Sequence, residues 1–298
     1  MSPHIHFDHG SWEFPALIAL ALLLAGSLYL RGWISTRAGS AAAIPAWKAS
    51  SFLCGLVLVW MAWGSPLAAY DHSLLTVHMI KHLLLMTFAP PLILLGEPMK
   101  VFWGITPLSA RSTLGRVWHR PLGQRLARIV ISLVLCWTAA ALTLIAWHVP
   151  SLFALGVRSE IAHTVEQAMF FGTGLLFWWP VIEPWPSAST GPRWSLLLYL
   201  FLATLPCDIL SGFLAFSDRV AYPVYFSTPR LFSFSILEDQ QCAAALMWTC
   251  VTLVYLVPAA IICSRLLAPR TSHELDVQQS QFSGGPVPQG TPRSLEVV

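Results

Sequence analysis

Two histidines one helical turn apart are the first residues in this chain that could do chemistry. His78 and His82 have i, i+4 spacing within an apolar run, and Met86 continues the same helical face. Imidazole nitrogens followed by a thioether suit copper better than magnesium or calcium. The alternative is that both histidines only form hydrogen bonds to neighbouring helices. Because an ionisable group inside a bilayer costs roughly 3 kcal/mol or more, we favour a metal site.

Other apolar runs carry further candidate ligands. His163 and Glu166 have i, i+3 spacing on one helical face, and Asp208 follows Pro206 in a later run. A proline-broken helix beside an intramembrane acid is a recurring way to build an ion site. The predicted metal ligands are His78, His82, His163, Glu166 and Asp208. Less favoured are Met86, His72, His148, Cys207 and Asp239.

Some of these positions also have simple structural interpretations. Lys81 lies beside the histidine pair and must form an ion pair or extend to the membrane surface, and Asp208 and Glu166 are its available partners. A buried ion pair that only fixes helix packing is an equal alternative for Lys81. His148 could be no more than an interfacial residue. For Asp239, the alternative is that it caps the N-terminus of its own helix.

The elements that position these residues are predicted to be membrane-spanning helices. Hydrophobic residues make up 56% of the chain and charged residues 10%, whereas a soluble domain carries roughly 25% charged residues. Only helices and closed barrels satisfy backbone polar groups in lipid, and these apolar runs are continuous, not alternating. We predict an all-α, polytopic membrane protein built as a seven-transmembrane-helix bundle, with six spans as the alternative. The predicted spans are 15–30, 50–69, 72–95, 129–148, 160–182, 194–216 and 239–264.

The distribution of basic residues predicts the orientation of this bundle. Of the 17 Lys and Arg residues, thirteen lie on one side of the predicted spans, three lie on the other, and Lys81 lies within a span. By the positive-inside rule, the N-terminus faces out and the C-terminus faces the cytoplasm. The net charge of +3 therefore reflects topology, and we expect no nucleic-acid partner. On the oxidising side, a Cys207–Cys242 disulfide is one alternative to free thiols.

The chain is predicted to form one membrane domain with two polar tails. Residues 1–14 form an outer tail whose His4, His6 and His9 could bind metal weakly, although a flexible tail is the simpler interpretation. Residues 15–268 form the seven-helix domain. It contains a basic cytoplasmic loop at 97–128, expected to contact membrane lipid, and an aromatic outer loop at 217–238. Residues 269–298 are rich in Ser, Gly, Pro and Gln and are predicted to be a disordered cytoplasmic tail.

Three stretches of sequence form a combined pattern. The first is H-M-I-K-H at 78–82, which continues to A-P-P-L at 89–92 and G-E-P at 96–98. The second is H-T-V-E at 163–166, which continues to G-L-L-F-W-W-P at 174–180. The third is Y-P-V-Y at 222–225, followed by D-Q-Q at 239–241 and M-W at 247–248. Together, these stretches resemble the CtaG-like cytochrome c oxidase assembly factor family, which comprises seven-helix bacterial membrane proteins.

The resemblance implies a role in assembling a haem–copper oxidase through its copper centres. It implies copper as the cofactor, cytochrome c oxidase subunits and periplasmic copper chaperones as partners, and the bacterial plasma (inner) membrane as the location. Two positions depart from the family pattern. Lys81 replaces a more usual uncharged residue such as Gln, and Gln167 stands where a His is common. If that His is a ligand in the family, either His163 replaces it here or the site is altered.

Three functions fit these residues. The favoured one is a copper-binding assembly factor, whose affinity should fall below about pH 6.5 because imidazoles must be neutral to bind metal. A haem-binding membrane cytochrome is an alternative, with His82 and His163 as axial ligands. A copper or proton transporter is another, although the inner halves of the predicted helices carry almost no ionisable residues. An assembly role through protein contacts alone fits the same surface. No group needs to turn over a substrate, so we expect no enzymatic activity.

Overall fold

The computed structural model describes residues 13–39, 44–65, 70–118, 120–183, 192, 194–228 and 235–268. These residues are helical or form turns between helices, and no strand occurs among them. The all-α prediction is therefore confirmed. The N-terminal histidines, part of the aromatic loop and the C-terminal tail lie outside the described residues, so what was predicted for them stays a prediction.

Twelve α-helices account for most of the described residues. In chain order they are α1 (Glu13–Gly39), α2 (Ala46–Gly64), α3 (Leu75–Leu83), α4 (Ala89–Leu95), α5 (Pro98–Ile105), α6 (Leu108–Trp118), α7 (Pro121–Val130), α8 (Leu133–Trp147), α9 (Pro150–Arg158), α10 (Glu160–Ile182), α11 (Trp194–Phe216) and α12 (Ile236–Leu267). A π-helical turn, Leu84–Phe88, joins α3 to α4, and a 3₁₀ helix, Pro223–Ser227, precedes α12.

Several of these helices are long and apolar enough to cross a membrane. Among the described residues there are five: Ala16–Thr36, Ala46–Gly64, Leu75–Leu95, Trp194–Phe216 and Ile236–Leu267. The bent pair α7 and α8 would make a sixth. The 23-residue α10 occupies the position predicted for the fifth span. Among the described residues, most of each predicted span is therefore helical, while the count of seven spans and their orientation stay predictions.

Apolar and polar side chains are distributed as expected for helices in lipid. Large apolar residues face outward on the long helices, with Leu23 71% exposed and Ile209 73% exposed. The charged or polar side chains of Lys81, His82 and Glu166 are instead buried between helices. Ionisable residues in a membrane helix almost always face the bundle interior, where they can pair with one another. The buried polar residues therefore mark the candidate functional site of the bundle.

The helix that carries the histidine pair is irregular where it meets α10. Pro90 has no backbone N–H, so the Met86 carbonyl loses a helical hydrogen-bond donor. The Trp178 indole donates to that carbonyl instead, at 3.1 Å. Gly174 allows the close approach, because a Cβ there would lie 2.9 Å from the Met86 Cα. The π-helical turn is thereby held against α10, which carries His163 and Glu166.

Candidate metal centre

Four ionisable side chains from α3 and α10 converge in the interior of the bundle. His78 Nε2 and His82 Nε2 each lie 3.5 Å from Glu166 Oε1, and His163 Nδ1 lies 3.3 Å from Glu166 Oε2. The ligand atoms of His78, His82 and Glu166 all lie within 4.8 Å of one another. Glu166 is 0% exposed, and both α3 histidines are buried. We call His78, His82, His163 and Glu166 the histidine cluster.

The spacing within the histidine cluster suits a metal ion. A metal about 2.1 Å from each donor places neighbouring donors roughly 3.0–3.5 Å apart, whether the geometry is octahedral or tetrahedral. The three histidine–carboxylate distances are 3.3–3.5 Å, in or at the edge of this range. Three imidazole nitrogens and a carboxylate oxygen suit borderline transition metals such as Cu²⁺ and Zn²⁺. The ligand atoms of His78, His82 and Glu166 are therefore close enough to share such an ion, and His163 Nδ1 lies beside them at Glu166 Oε2.

The donor atoms of the histidine cluster are buried and largely unsatisfied. A buried polar atom without a hydrogen bond costs roughly 1–3 kcal/mol, so several in one place require an explanation. Within the histidine cluster, the buried atoms with no hydrogen-bond partner among the described residues are His78 Nε2, His82 Nδ1, His82 Nε2, His163 Nδ1, Glu166 Oε1 and Glu166 Oε2. All six are atoms that can coordinate a metal. A bound cation would satisfy most of them at once.

Asp71, in the turn before α3, orients the cluster. Its Oδ1 lies 2.7 Å from His78 Nδ1, and its Oδ2 lies 2.8 Å from His163 Nε2. Burial raises the pKa of the Asp71 carboxyl, but His78, His163 and Lys81 more than offset this and hold the pKa well below its usual value. Asp71 is therefore ionised at neutral pH and accepts a hydrogen bond from the N–H at His78 Nδ1. The His78 Nε2 lone pair is then directed at the cluster, as in other carboxylate–histidine–metal arrangements.

Lys81 pairs with Asp71, not with the partners expected from the sequence. Its Nζ lies 2.5 Å from Asp71 Oδ2 and 3.1 Å from His163 Nε2. The prediction that Asp208 or Glu166 would neutralise Lys81 is therefore wrong. Asp71, His78 and His163 form a second group of close ligand atoms, but the Lys81 ammonium already supplies a positive charge there.

The remaining predicted ligands lie outside the histidine cluster. Asp208 is half-buried on α11 and has a buried, unpartnered Oδ1, but it belongs to neither group of close ligand atoms among the described residues. The His72 ring centroid is 5.4 Å from that of His163. The His148 ring centroid is 6.2 Å from that of His82, and Met86 and Cys207 line a cavity beside His82. The Cys207–Cys242 disulfide is not formed, because both residues are free thiols.

Asp239 caps a helix other than its own. Its carboxylate accepts hydrogen bonds from the backbone N–H of Leu75 at 2.7 Å and of Thr76 at 3.1 Å, and also from the Thr76 hydroxyl. These are the first residues of α3. Ser235 and Glu238 already form a capping box on α12. Asp239 is therefore free to anchor the start of the helix that carries His78 and His82.

Sequence reasoning missed Asp71 as a site residue. One signal could have found it: a lysine in an apolar run needs an acidic partner, and Asp71 is the nearest acid in sequence to Lys81. It was overlooked because it lies in a turn and not on the helical face that carries the histidines.

The fold and site define a helical membrane protein with a buried histidine–carboxylate cluster. The chain matches the cytochrome c oxidase caa3 assembly factor family over residues 27–268 and belongs to that family. The resemblance found in the sequence is thus confirmed.

Relatives of the chain include longer mycobacterial proteins. Uncharacterised proteins of Mycobacterium bovis and Mycobacterium tuberculosis are each 26% identical over 263 residues, which cover 84% of this chain and 39% of theirs. One from Mycobacterium leprae is 25% identical over 286 residues, which cover 91% of this chain and 41% of its own. The chain therefore spans about two fifths of the length of these relatives. No solved structure matches.

Proposed function

We propose that this protein is an assembly factor for cytochrome c oxidase that binds copper at the histidine cluster and supports its delivery to the oxidase. Family membership supports the assembly role. One structural observation supports the metal role: ligand atoms of His78, His82 and Glu166 lie within 4.8 Å of one another and are buried without hydrogen-bond partners among the described residues. The protein acts as a metal donor and not as an enzyme.

Copper fits the donor set for two reasons. Nitrogen and carboxylate ligands bind first-row divalent metals with affinities that peak at Cu²⁺. Asp71 also holds His78 with its Nε2 lone pair toward the cluster, which removes the need to reorient that ring on binding. The proposed partners are cytochrome c oxidase subunits and periplasmic copper chaperones, and the proposed location is the bacterial plasma membrane.

The haem alternative has less support. Glu166 Oε1 lies 3.5 Å from His82 Nε2, and Glu166 Oε2 lies 3.3 Å from His163 Nδ1. The Phe170 ring also stacks on His82, with 4.0 Å between centroids. The carboxylate and this ring occupy space that a porphyrin between the two histidines would need.

Metal analysis of the detergent-purified protein tests the proposal. Wild type loaded with copper should retain about one equivalent at the histidine cluster, and a His78→Ala/His82→Ala variant should lose it. A His4→Ala/His6→Ala/His9→Ala variant is the matched control for adventitious binding by histidines. Equal copper in wild type and the His78→Ala/His82→Ala variant would refute the site. No copper in any of them would favour assembly through protein contact alone.

Oxidase maturation in cells tests the second half of the proposal. Cells that lack this protein should contain an oxidase deficient in copper, and wild-type protein should restore the copper. The His78→Ala/His82→Ala variant should be present in the membrane at normal levels without restoring it. Full restoration by that variant would separate the assembly role from copper binding.

A further inference from the structure

A small cavity lies beside the histidine cluster. It is bounded by α3 and its π-helical turn, α8, α10, α11 and α12, and its volume is about 50 Å³. His82 belongs both to the wall of this cavity and to the histidine cluster, whereas Glu166 does not line it. A site needs roughly 10–15 Å³ per water molecule, so the cavity has room for a single ion and small ligands.

Sulfur-containing side chains are concentrated around this cavity. Met79, Met86 and Met247 line it, and so does the thiol-bearing Cys207. These are three of the seven methionines of the chain. No Asp, Glu, Lys or Arg occurs among the described residues that line the cavity. Thioether and thiol donors without carboxylates favour soft ions such as Cu⁺ over hard cations and over the Cu²⁺ that suits the histidine cluster.

Two histidines in the wall have ring nitrogens without hydrogen-bond partners. His148 Nδ1 lies 2.7 Å from the Leu144 carbonyl, which can only accept, so this nitrogen carries the proton and Nε2 holds a lone pair. His148 Nε2 and His82 Nδ1 are buried and have no partner among the described residues, and each of the two residues is only 6% exposed. His148 Nε2 can therefore bind a cation in the cavity, and His82 Nδ1 can do so in the tautomer that carries its proton on Nε2.

We propose that this cavity is a second metal site, selective for a soft monovalent ion of the Cu⁺ class and formed by methionine sulfur together with His82 and His148. We call it the sulfur site. It goes beyond the proposed function, because its donors differ from those of the histidine cluster and it would bind such an ion even if the cluster bound none. His82 lies at the boundary of the two sites and belongs to both.

Silver ion is the probe, because Ag⁺ has the charge and softness of Cu⁺ and is stable in air. The six methionines after Met1 divide into two matched sets. The cavity variant is Met79→Leu/Met86→Leu/Met247→Leu. The control variant is Met61→Leu/Met99→Leu/Met169→Leu, at positions that are 36%, 48% and 40% exposed. Met→Leu nearly conserves side-chain volume, and both variants keep all six cysteines.

Calorimetric titration of the full chain in detergent should separate the two variants. The cavity variant should lose one equivalent of Ag⁺ or bind it more than about tenfold more weakly, since even the partners of metal ligands contribute 10–100-fold. The control variant should bind Ag⁺ as wild type does. Equal binding by the two variants would overturn the sulfur site. If the cavity variant cannot be purified folded, a His148→Gln variant should show the same weakening, and unchanged Ag⁺ binding by that variant would also overturn the proposal.

A Glu166→Gln variant separates this proposal from the proposed function. It should lose copper(II) from the histidine cluster and keep the Ag⁺ equivalent of the sulfur site, because Glu166 does not line the cavity. Loss of that Ag⁺ equivalent would mean that the two sites are one, and would refute a separate sulfur site.

Discussion

Replacing Asp71 with Asn should weaken copper binding without removing any proposed ligand. Asp71 Oδ1 lies 2.7 Å from His78 Nδ1, and Oδ2 lies 2.8 Å from His163 Nε2. An Asn side chain has one oxygen and one amide nitrogen, so it cannot accept from both histidines. His78 would lose the carboxylate that fixes its tautomer, and its Nε2 would no longer be held as a free donor.

The size of this effect follows from the contacts. Loss of a partner that orients a ligand typically lowers metal affinity 10–100-fold, which is about 1.4–2.7 kcal/mol of binding free energy. Stability should fall as well, because Lys81 Nζ, 2.5 Å from Asp71 Oδ2, becomes an unpaired buried charge. Breaking a buried pair in this way costs roughly 3–5 kcal/mol.

A second variant separates the two consequences. Asp71→Asn/Lys81→Gln removes both charges, so it should regain much of the lost stability while copper affinity stays low. Asp218→Asn, at an exposed acid in the loop after α11, is the matched control and should behave as wild type.

Competition with a chelator of known affinity measures copper binding, and thermal unfolding in detergent measures stability. Wild-type copper affinity in the folded Asp71→Asn/Lys81→Gln variant would refute the orienting role of Asp71. Unchanged stability in Asp71→Asn would refute the buried ion pair.

Three further expectations concern other parts of the site. Gly156→Ala should displace Glu166, since the added Cβ would lie 2.8 Å from Oε2, and should lower copper affinity in chelator competition. Gly212→Ala is the control, because a Cβ there meets nothing within 4 Å, and it should leave the copper affinity unchanged. Equal copper affinities of the Gly156→Ala and Gly212→Ala variants would contradict the contact between Gly156 and Glu166. Asp239→Asn should lower the free energy of unfolding by about 1–3 kcal/mol, because it weakens the cap on α3, and an unchanged denaturant midpoint would exclude that role. The stability of the protein should also fall in acid. The pKa of Asp71 in the folded state is well below its value near 3.9 in the unfolded state. The stabilisation that Asp71 contributes is therefore complete above about pH 3.9 and is lost as the pH falls toward the folded-state pKa. The melting temperature should therefore drop more steeply below about pH 4 in wild type than in a variant without this carboxyl, and parallel curves would refute the shift.

The local part of this architecture could be predicted from the sequence. Each of the seven apolar runs is mainly helical over its described residues, because length and continuous hydrophobicity are properties of a single segment. The i, i+4 spacing of His78 and His82 and the i, i+3 spacing of His163 and Glu166 also follow from helix geometry alone. For this reason, four of the five favoured ligands lie together in the histidine cluster.

Contacts between distant segments were decided only by the tertiary structure. Lys81 had several acids within plausible reach, and the packing of the turn before α3 selected Asp71 over Asp208. Asp239 lies 164 residues from Leu75 in sequence, yet it caps that residue's helix because α12 packs against α3. Helical periodicity predicts on which face of its helix a side chain lies. Which neighbouring helix that face contacts depends on how all the helices pack. The sequence by itself therefore determined the helices and the paired candidate ligands, whereas the packing decided which acid orients them.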